Sequence, residues 1–311
     1  MKKNKLIFSD FYQGLDEKIN YLDVGARGDI SAPWNYFDNS KIKIIGFEPD
    51  EIEAKRLSKL YPDRTYYPYA LWGSQAERPF YLYQWESTSS MYLPNKVLNE
   101  NYQSQHWVGR HPKDQFDMKC VRLDEILDNG DTPDFIKLDT QGSEYEILSG
   151  ACETLIKGNP LVLSETWCNE IYKGAPLAYK IMGLMDDLGY AIFDLSVAAS
   201  WRYRSIRMKK IYSRASLVGF DLLFIKKPDK VKFDSPNKII KFAGLCELFG
   251  FRDYAAFILE GSSMNKDPLV RDALEVLYGN NSVECSLFHR ARMKLHRFVN
   301  KDEFPWPSLH Y

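Results

Sequence analysis

Paired cysteines are missing from this sequence of 311 residues. Its cysteines number five, which is odd, and no two of them are spaced as in a C-x-x-C motif. A disulfide framework and a structural zinc site both need such pairs, so we expect neither. The thiols should be buried or incidental; they lie at positions 120, 152, 168, 246 and 285.

Long apolar runs are missing as well. The basic N-terminus continues into an apolar run of only three residues, Leu6 to Phe8, whereas a secretory signal needs about 7–15. No stretch approaches the ~20 apolar residues that cross a bilayer. The sequence therefore predicts a cytoplasmic protein without membrane insertion.

An excess of charge of either sign is also absent. Lys and Arg together number 41 and Asp and Glu 42, which gives a net charge of −1. This balance provides no overall field that would attract nucleic acid or an anionic membrane. We therefore expect no nucleic-acid partner.

Short apolar runs alternate with helical patterns over residues 1–228, which is typical of a parallel sheet with helices between its strands. Seven runs predict core strands, at 19–24, 41–47, 65–71, 134–138, 161–164, 190–195 and 219–225. Helices are predicted at 51–60, 143–156 and 177–188. Runs 76–85 and 115–123 predict antiparallel additions. The fold class is α/β, a doubly wound, seven-stranded sheet.

Two further segments have a character of their own. Residues 86–114 show weak periodicity, and we interpret them as a substrate loop or lid. Residues 229–311 predict an all-helical C-terminal extension, which either packs on the sheet or joins two copies as a homodimer. Its helices are predicted at 237–249, 252–260, 269–277 and 283–299.

The first strand leads into a loop that suits a nucleotide-type cofactor. Its sequence, DVGARGD from Asp23 to Asp29, has Gly25 for a tight turn and small residues that let a ligand approach the main chain. The G-x-G-x-x-G fingerprint of dinucleotide sites is missing, which argues against a nicotinamide-dependent oxidoreductase. An acid here repels pyrophosphate and attracts an ammonium group. An ordinary glycine turn is the alternative.

Acids follow three other predicted strands. Glu48 ends the second strand, where a carboxylate can accept hydrogen bonds from ribose hydroxyls, and a solvated carboxylate is the alternative. Lys137 and Asp139 share one face of the 134–138 strand. Glu144 suits the first turn of the next helix, and Glu165 follows the next strand. An ion pair of purely structural role is the alternative for Lys137.

Taken together, the motifs resemble the FkbM family of S-adenosylmethionine-dependent methyltransferases. They are YLDVGARGD, IGFEPD, YYPYALW, TSSMYLPN, LDEIL, PDFIKLDTQGSEYEILSGA and GYAIFDL, in the family's order from about Tyr21 to Leu195. The resemblance implies a sheet whose last strand is antiparallel and the O-methylation of hydroxyls on sugars or other small metabolites. Residues from Lys230 onward are not covered.

The resemblance also implies roles for individual residues. Asp23, Gly25 and Gly28 would surround the methionine part of the cofactor, Glu48 would bind the ribose, and Ala70 and Leu71 would flank the adenine. Asp139 would lie by the transferred methyl group. The predicted cofactor residues are Asp23, Gly25, Ala26, Arg27, Gly28, Glu48, Pro49, Asp50, Ala70, Leu71 and Asp139. Arg27 stands where many relatives carry Asn.

The substrate side is expected to combine the loop with the strand ends. Its predicted residues are Ser89, Ser90, Trp107, Arg110, Gln141, Glu144 and Glu165. Arg110 would meet a phosphate, since a guanidinium forms paired bonds to such oxygens. Asp139 is the leading candidate for the general base, with His106 and His111 as alternatives.

Two questions stay open at this level. Asp139, Glu144 and Glu165 would supply oxygen ligands for a divalent cation, although none is expected. The function predicted is methyl transfer to a hydroxyl of a sugar or glycan precursor. The alternatives are a non-catalytic binding or assembly module and a nicotinamide-dependent oxidoreductase.

Overall fold

The computed structural model describes residues 17–28, 30, 33–34, 39–127, 132–207 and 214–278. These residues fall into two compact units. One contains 20–28, 44–127, 132–207 and 214–227, and the other contains 17–19, 30, 33–34, 39–43 and 228–278.

The first unit is built on a mixed seven-stranded sheet, which confirms the predicted fold class. In chain order its strands are β1 (Ile19–Val24), β2 (Ile42–Phe47), β3 (Thr65–Tyr67), β7 (Phe135–Leu138), β8 (Leu161–Trp167), β9 (Tyr190–Trp201) and β10 (Ser216–Lys226). Their spatial order is β3-β2-β1-β7-β8-β10-β9. The last of the described strands along the chain, β10, is antiparallel to both of its neighbours, as the resemblance implied.

A second, three-stranded sheet contains β4 (Ala70–Leu71), β5 (Ala76–Tyr83) and β6 (Pro112–Val121), in the order β4-β6-β5. The pairing of β5 with β6 is antiparallel, as predicted, but these strands do not extend the main sheet. The prediction of a single strand at 65–71 was wrong, because two strands occupy this stretch. The chain leaves the main sheet at Pro68, which has no N–H for a ladder hydrogen bond, and enters the small sheet at Ala70.

Helices of the first unit connect the strands. They are α1 (Glu51–Leu60), α2 (Lys96–Asn99), α3 (Leu123–Ile126), α4 (Glu144–Ser149), α5 (Cys152–Gly158) and α6 (Ala178–Asp187). The one helix predicted at 143–156 is two helices, because the chain breaks at Gly150. A Cβ atom at Gly150 would lie 2.3 Å from the carbonyl oxygen of Trp72, the residue after β4, so the two backbones approach more closely than a side chain allows.

The predicted loop is ordered rather than irregular. It contains α2 and three short 3-10 turns, at Glu86–Thr88, Ser104–His106 and Val108–Arg110. The loop ends earlier than predicted, since β6 begins at Pro112.

The described part of the second unit is helical. Its helices are α7 (Pro236–Leu248), α8 (Arg252–Gly261) and α9 (Pro268–Tyr278). Ser235 caps α7 by accepting a hydrogen bond from the Lys238 amide, and Pro236 suits the first helical position. The predicted helix 283–299 lies outside the described residues, and the homodimer stays a prediction. Among the described helices, none is both long and apolar enough to cross a membrane.

The core of the first unit generates a stability prediction. Leu155 on α5 is fully buried in the main apolar cluster, whereas its neighbour Ile156 is 56% exposed. Leu155→Ala should lower the free energy of unfolding by about 2–5 kcal/mol, because it leaves a cavity, and Ile156→Ala by less than ~1 kcal/mol. Urea denaturation of both variants measures the difference, and equal losses would contradict this placement.

Candidate functional site

The loop after β1 lies directly against the loop after β7. Gly25 has a φ of +81°, and its amide and that of Ala26 donate to the Phe47 carbonyl at 3.0 and 3.2 Å. A Cβ atom at Gly25 would lie 2.1 Å from the Asp139 carbonyl oxygen. Glycine is therefore required here by conformation and by space, and it brings the ends of β1, β2 and β7 together.

Glu48, at the end of β2, is buried beside two groups that favour its charge. Its carboxylate accepts a hydrogen bond from the Asp50 amide at 3.0 Å and lies 3.8 Å from the Arg27 guanidinium. Burial outweighs both and raises the pKa of Glu48 to about 7. Asp50 accepts from two amides at the start of α1 and pairs with Arg27 at 3.1 Å. Arg27 thus stands among the acids that follow β2.

Lys137 lies between two carboxylates. Its ammonium is 3.6 Å from Asp23 Oδ1 and 3.6 Å from Asp139 Oδ2. Burial lowers the pKa of Lys137, but the charges of these two acids outweigh it and hold the pKa above its usual value. Asp23 is buried, which raises its own pKa. The ion pair considered for Lys137 is therefore present. Asp23 is one of its two carboxylates and does not line the cavity described below.

The turn from β7 into α4 is held together by Glu144. Its carboxylate accepts from the Thr140 amide at 2.8 Å, the Thr140 hydroxyl at 2.9 Å and the Gly142 amide at 3.0 Å. Burial raises the pKa of Glu144 to about 7 although these donors favour its charge. Gln141 and Gly142 both have positive φ, at 58° and 118°. The predicted substrate residue Glu144 thus supports the turn from inside.

These elements surround a cavity that is open to solvent. Nine of the predicted residues line it: Gly25, Arg27, Glu48, Pro49, Ala70, Leu71, Ser89, Asp139 and Gln141. The prediction missed Val24, Phe47, Tyr69, Phe80, Glu86, Ser87, Met91, Thr140, Ser143 and Ile147. The spacing of four between Ser143, at the N-cap of α4, and Ile147 was a signal that the two residues share a face. No local pattern predicts that Phe80 and Met91 line the cavity. Phe80 lies on β5, and Met91 lies in the segment between β5 and β6.

The cavity has a polar and an apolar portion. Carboxylates, hydroxyls and the Arg27 guanidinium come from the strand ends and from the turn at Glu86–Thr88. Glu86 pairs with Arg27 at 2.7 Å, which joins that turn to the loop after β1. Apolar side chains come from β4, β5 and α4. Such a cavity suits a ligand with a flat apolar part and a hydroxyl-rich part.

Several predicted residues lie outside this cavity. Ala26 and Ser90 are buried, and Ser90 Oγ donates to the Gln141 carbonyl at 2.7 Å. Gly28 has a φ of +111° in the first loop, and Asp50 caps α1. Glu165 contacts the site indirectly, because it accepts from Gln141 Nε2 at 2.6 Å.

The expectation that Arg110 meets a phosphate does not fit its position. Arg110 is buried and donates to the Tyr172 hydroxyl at 3.0 Å and to the His106 carbonyl at 2.9 Å. Its guanidinium lies 5.2–5.7 Å from the rings of three aromatic residues, Trp167, Tyr172 and Trp201. Its charge therefore stabilises a buried aromatic cluster.

The two histidines considered as general bases, His106 and His111, lie against aromatic rings of the loop region and of the cluster around Arg110. His106 stacks on Trp201 with ring centroids 5.7 Å apart. His111 meets Trp107 edge to face at 5.6 Å. Neither histidine lines the cavity, whereas Asp139 does, with its side chain 40% exposed. Of the three candidates, Asp139 alone is placed to reach a ligand in the cavity.

The optional cation site finds no support in the described part of the chain. Within these residues, no three His, Cys, Asp or Glu side chains are grouped so as to hold a metal ion. Glu144, one of the three proposed ligands, is occupied by the donors of its own turn.

Gly25 allows a test that separates strain from contact. Gly174 has the same φ of +81° but nothing within 4 Å of the position a Cβ would take. Gly174→Ala should cost about 1–2 kcal/mol of unfolding free energy, from conformation alone. Gly25→Ala should cost clearly more, because it also displaces the Asp139 backbone. Equal losses in urea denaturation would show that the two loops do not touch in this way.

Glu48 makes stability depend on pH. Because its pKa in the folded protein, about 7, exceeds the ordinary value of 4.5, its contribution to stability is complete below pH 4.5 and is lost as the pH rises through 7. Glu48→Gln removes this loss. The stability of the variant relative to the wild type should therefore increase by about 3 kcal/mol from pH 4.5 to 8. Urea titrations at several pH values measure it, and a pH-independent difference would contradict the buried ionisation.

Comparison with known proteins places the chain in a family. The profile described as the Methyltransferase FkbM domain matches residues 23–192. No curated protein matches the chain. Similar solved structures include the FkbM methyltransferase from Methylobacillus flagellatus (14% identity, TM-score 0.34, 69% of this chain and 47% of that chain). A TehB-like S-adenosylmethionine-dependent methyltransferase from Corynebacterium glutamicum matches at 8% identity (TM-score 0.34, 71% and 88%). The M1A22 tRNA methyltransferase from B. subtilis matches at 11% (TM-score 0.32, 90% and 98%). Because the profile covers more than half of the sequence, the chain belongs to the FkbM methyltransferase domain family.

Proposed function

We propose that this protein transfers a methyl group from S-adenosylmethionine to a hydroxyl of a sugar or glycan precursor. The observation that supports this most is the placement of Glu48 and Asp139 in one cavity, on either side of the Gly25 loop. They follow β2 and β7, which flank β1 in the sheet. Family membership supports methyl transfer, and the nature of the acceptor rests on the chemistry of the cavity.

The residues present fit an S-adenosyl ligand. The missing Cβ of Gly25 lets the loop after β1 meet the Asp139 backbone, so that Gly25 and Asp139 line the same cavity. Glu48 would bind the ribose hydroxyls as a hydrogen-bond acceptor. The adenine would lie between Ala70, Leu71 and the apolar side chains near them. When bound, the cofactor supplies a methyl group on a positively charged sulfur.

Asp139 is our candidate for the general base. Its carboxylate reaches the cavity and would take the proton of an acceptor hydroxyl beside it. The hydroxyl oxygen would gain the methyl group, and the cofactor's sulfur would keep the electron pair of the broken S–C bond. Alignment of the two reactants contributes most of the acceleration, because the sulfonium is already a strong electrophile. The Lys137 ammonium lies 3.6 Å from Asp139 Oδ2 and pairs with this carboxylate.

The polar part of the cavity favours a neutral, hydroxyl-rich acceptor. Ser87, Ser89 and Glu86 provide hydrogen-bonding groups along one wall, as sugar hydroxyls require. Three carboxylates and one guanidinium line the cavity, which disfavours a polyanion such as nucleic acid.

Binding of the cofactor product provides the first test. S-Adenosylhomocysteine should bind the wild type in isothermal titration calorimetry. Lack of binding at high micromolar concentration would overturn both the cofactor and the enzyme assignments and favour a non-catalytic module.

Methyl transfer provides the second test. With methyl-labelled S-adenosylmethionine and a panel of nucleotide sugars and glycans, label should enter a hydroxyl of one acceptor. Asp139→Asn should then lower kcat by about 100-fold or more, because the amide cannot take up the proton, while S-adenosylhomocysteine still binds. Asp63→Asn, an exposed acid outside the cavity, is the matched control. Full activity of Asp139→Asn would exclude Asp139 as the base.

A further inference from the structure

Gln141 adopts an uncommon backbone conformation for a residue with a side chain. Its φ is 58°, in the left-handed region, which costs about 1 kcal/mol or more relative to glycine. The next residue is a glycine, so the turn does contain a residue suited to positive φ. A glutamine kept at such a position points to a use for its side chain.

The side-chain amide of Gln141 bridges two acids and a tyrosine. Nε2 donates to Asp139 Oδ1 at 3.2 Å and to Glu165 Oε2 at 2.6 Å, which uses both of its hydrogens. Oε1 accepts from the Tyr172 hydroxyl at 2.7 Å. The orientation of the amide is therefore set by three groups at once.

Gln141 is also tied to the segment that carries Ser89. Its carbonyl accepts from Ser90 Oγ at 2.7 Å. Tyr172, which holds the amide, is itself held by Arg110 Nε at 3.0 Å and contacts the Thr88 carbonyl at 2.9 Å. Main chain and side chain of Gln141 are thus anchored independently, as a residue that positions another group requires.

Asp139 has two partners that pull on different oxygens. Gln141 holds Oδ1, and Lys137 lies 3.6 Å from Oδ2. Without the amide, the carboxylate would be free to turn towards the ammonium, which attracts it more strongly than a neutral group does. The backbone strain and the three-way bridge are both explained if the direction of this carboxylate matters.

From this we propose that Gln141 is a positioning residue that holds the Asp139 carboxylate towards the positively charged centre of the bound cofactor. This inference rests on the proposed function. Its signature is a preference for ligands that carry a positive charge next to the ribose over neutral ligands of the same shape, since a fixed carboxylate attracts only the former.

The test compares two ligands by isothermal titration calorimetry. Sinefungin carries an ammonium group where S-adenosylhomocysteine has a neutral sulfur. The wild type should bind sinefungin more tightly. Gln141→Met keeps the volume without the hydrogen bonds, and Gln141→Gly relieves the backbone strain. In both variants the Kd for S-adenosylhomocysteine divided by the Kd for sinefungin should fall at least about fivefold. Gln75→Met, which breaks an exposed bond to Glu125, is the control and should leave the ratio unchanged.

The outcomes separate positioning from support. Gln141→Gly relieves the strain at this φ but leaves buried Glu165 and Tyr172 without the amide, so urea denaturation first shows that the variant is folded, and the folded variant should lose the preference. If Gln141 has a purely structural role, its replacement should weaken the binding of both ligands equally. An unchanged ratio of the two Kd values in folded variants therefore overturns the inference and leaves the cofactor assignment intact. If the wild type binds neither ligand, the proposed function fails and this inference with it.

Discussion

The close approach of Gly25 to the carbonyl of Asp139 determines how the rest of the site is built. Two parallel strands that end side by side usually diverge into loops with side chains between them. Here the absent Cβ lets the two loops touch through their backbones, so the acids that follow β2 and β7 face a common space. The Phe47 carbonyl, which accepts from Gly25 and Ala26, ties the end of β2 into the same contact.

Burial of charge is the second constraint on this site. The carboxyl groups of Glu48, Glu144 and Glu165 all have raised pKa values, each chiefly because of burial. Each is nevertheless supplied with donors from its own surroundings: a backbone amide and Arg27 for Glu48, the turn for Glu144, and Gln141 for Glu165. The cost of removing acids from water is thereby offset locally, and the groups stay where the fold places them.

Most of the main sheet was predictable because β1, β2, β7, β8 and β10 are largely apolar and buried, as the inner strands of such a sheet require. The path through Thr65 to Leu71 was not, since TYYPYAL has strand-like residues on both sides of Pro68 and nothing local shows that they belong to different sheets. The same applies to Phe80 and Met91. Their place in the cavity depends on how the small sheet is arranged, which the sequence pattern does not contain.

For the site, residues that directly follow strands were predictable, because the edge at which parallel strands end is known in advance. Arg110 was not. Its neighbours Trp167, Tyr172 and Trp201 are more than fifty residues away, and a loop arginine among polar residues gives no sign that aromatic rings will enclose it. The bridge formed by Gln141 could not be predicted from the sequence either, since it depends on a positive φ and on Glu165 and Tyr172 being near.

The short wall from Glu86 to Ser89 is secured at both of its ends. The Trp85 amide donates to the Gly109 carbonyl at 2.9 Å, and Ser90 is bonded to Gln141. Between these anchors, Glu86, Ser87 and Ser89 line the cavity, and the side chains of Glu86 and Ser89 also bond to Arg27 and to the Tyr83 amide. Ser87 makes neither of these contacts, so an exchange at this position changes the lining of the cavity while both ends of the wall stay anchored.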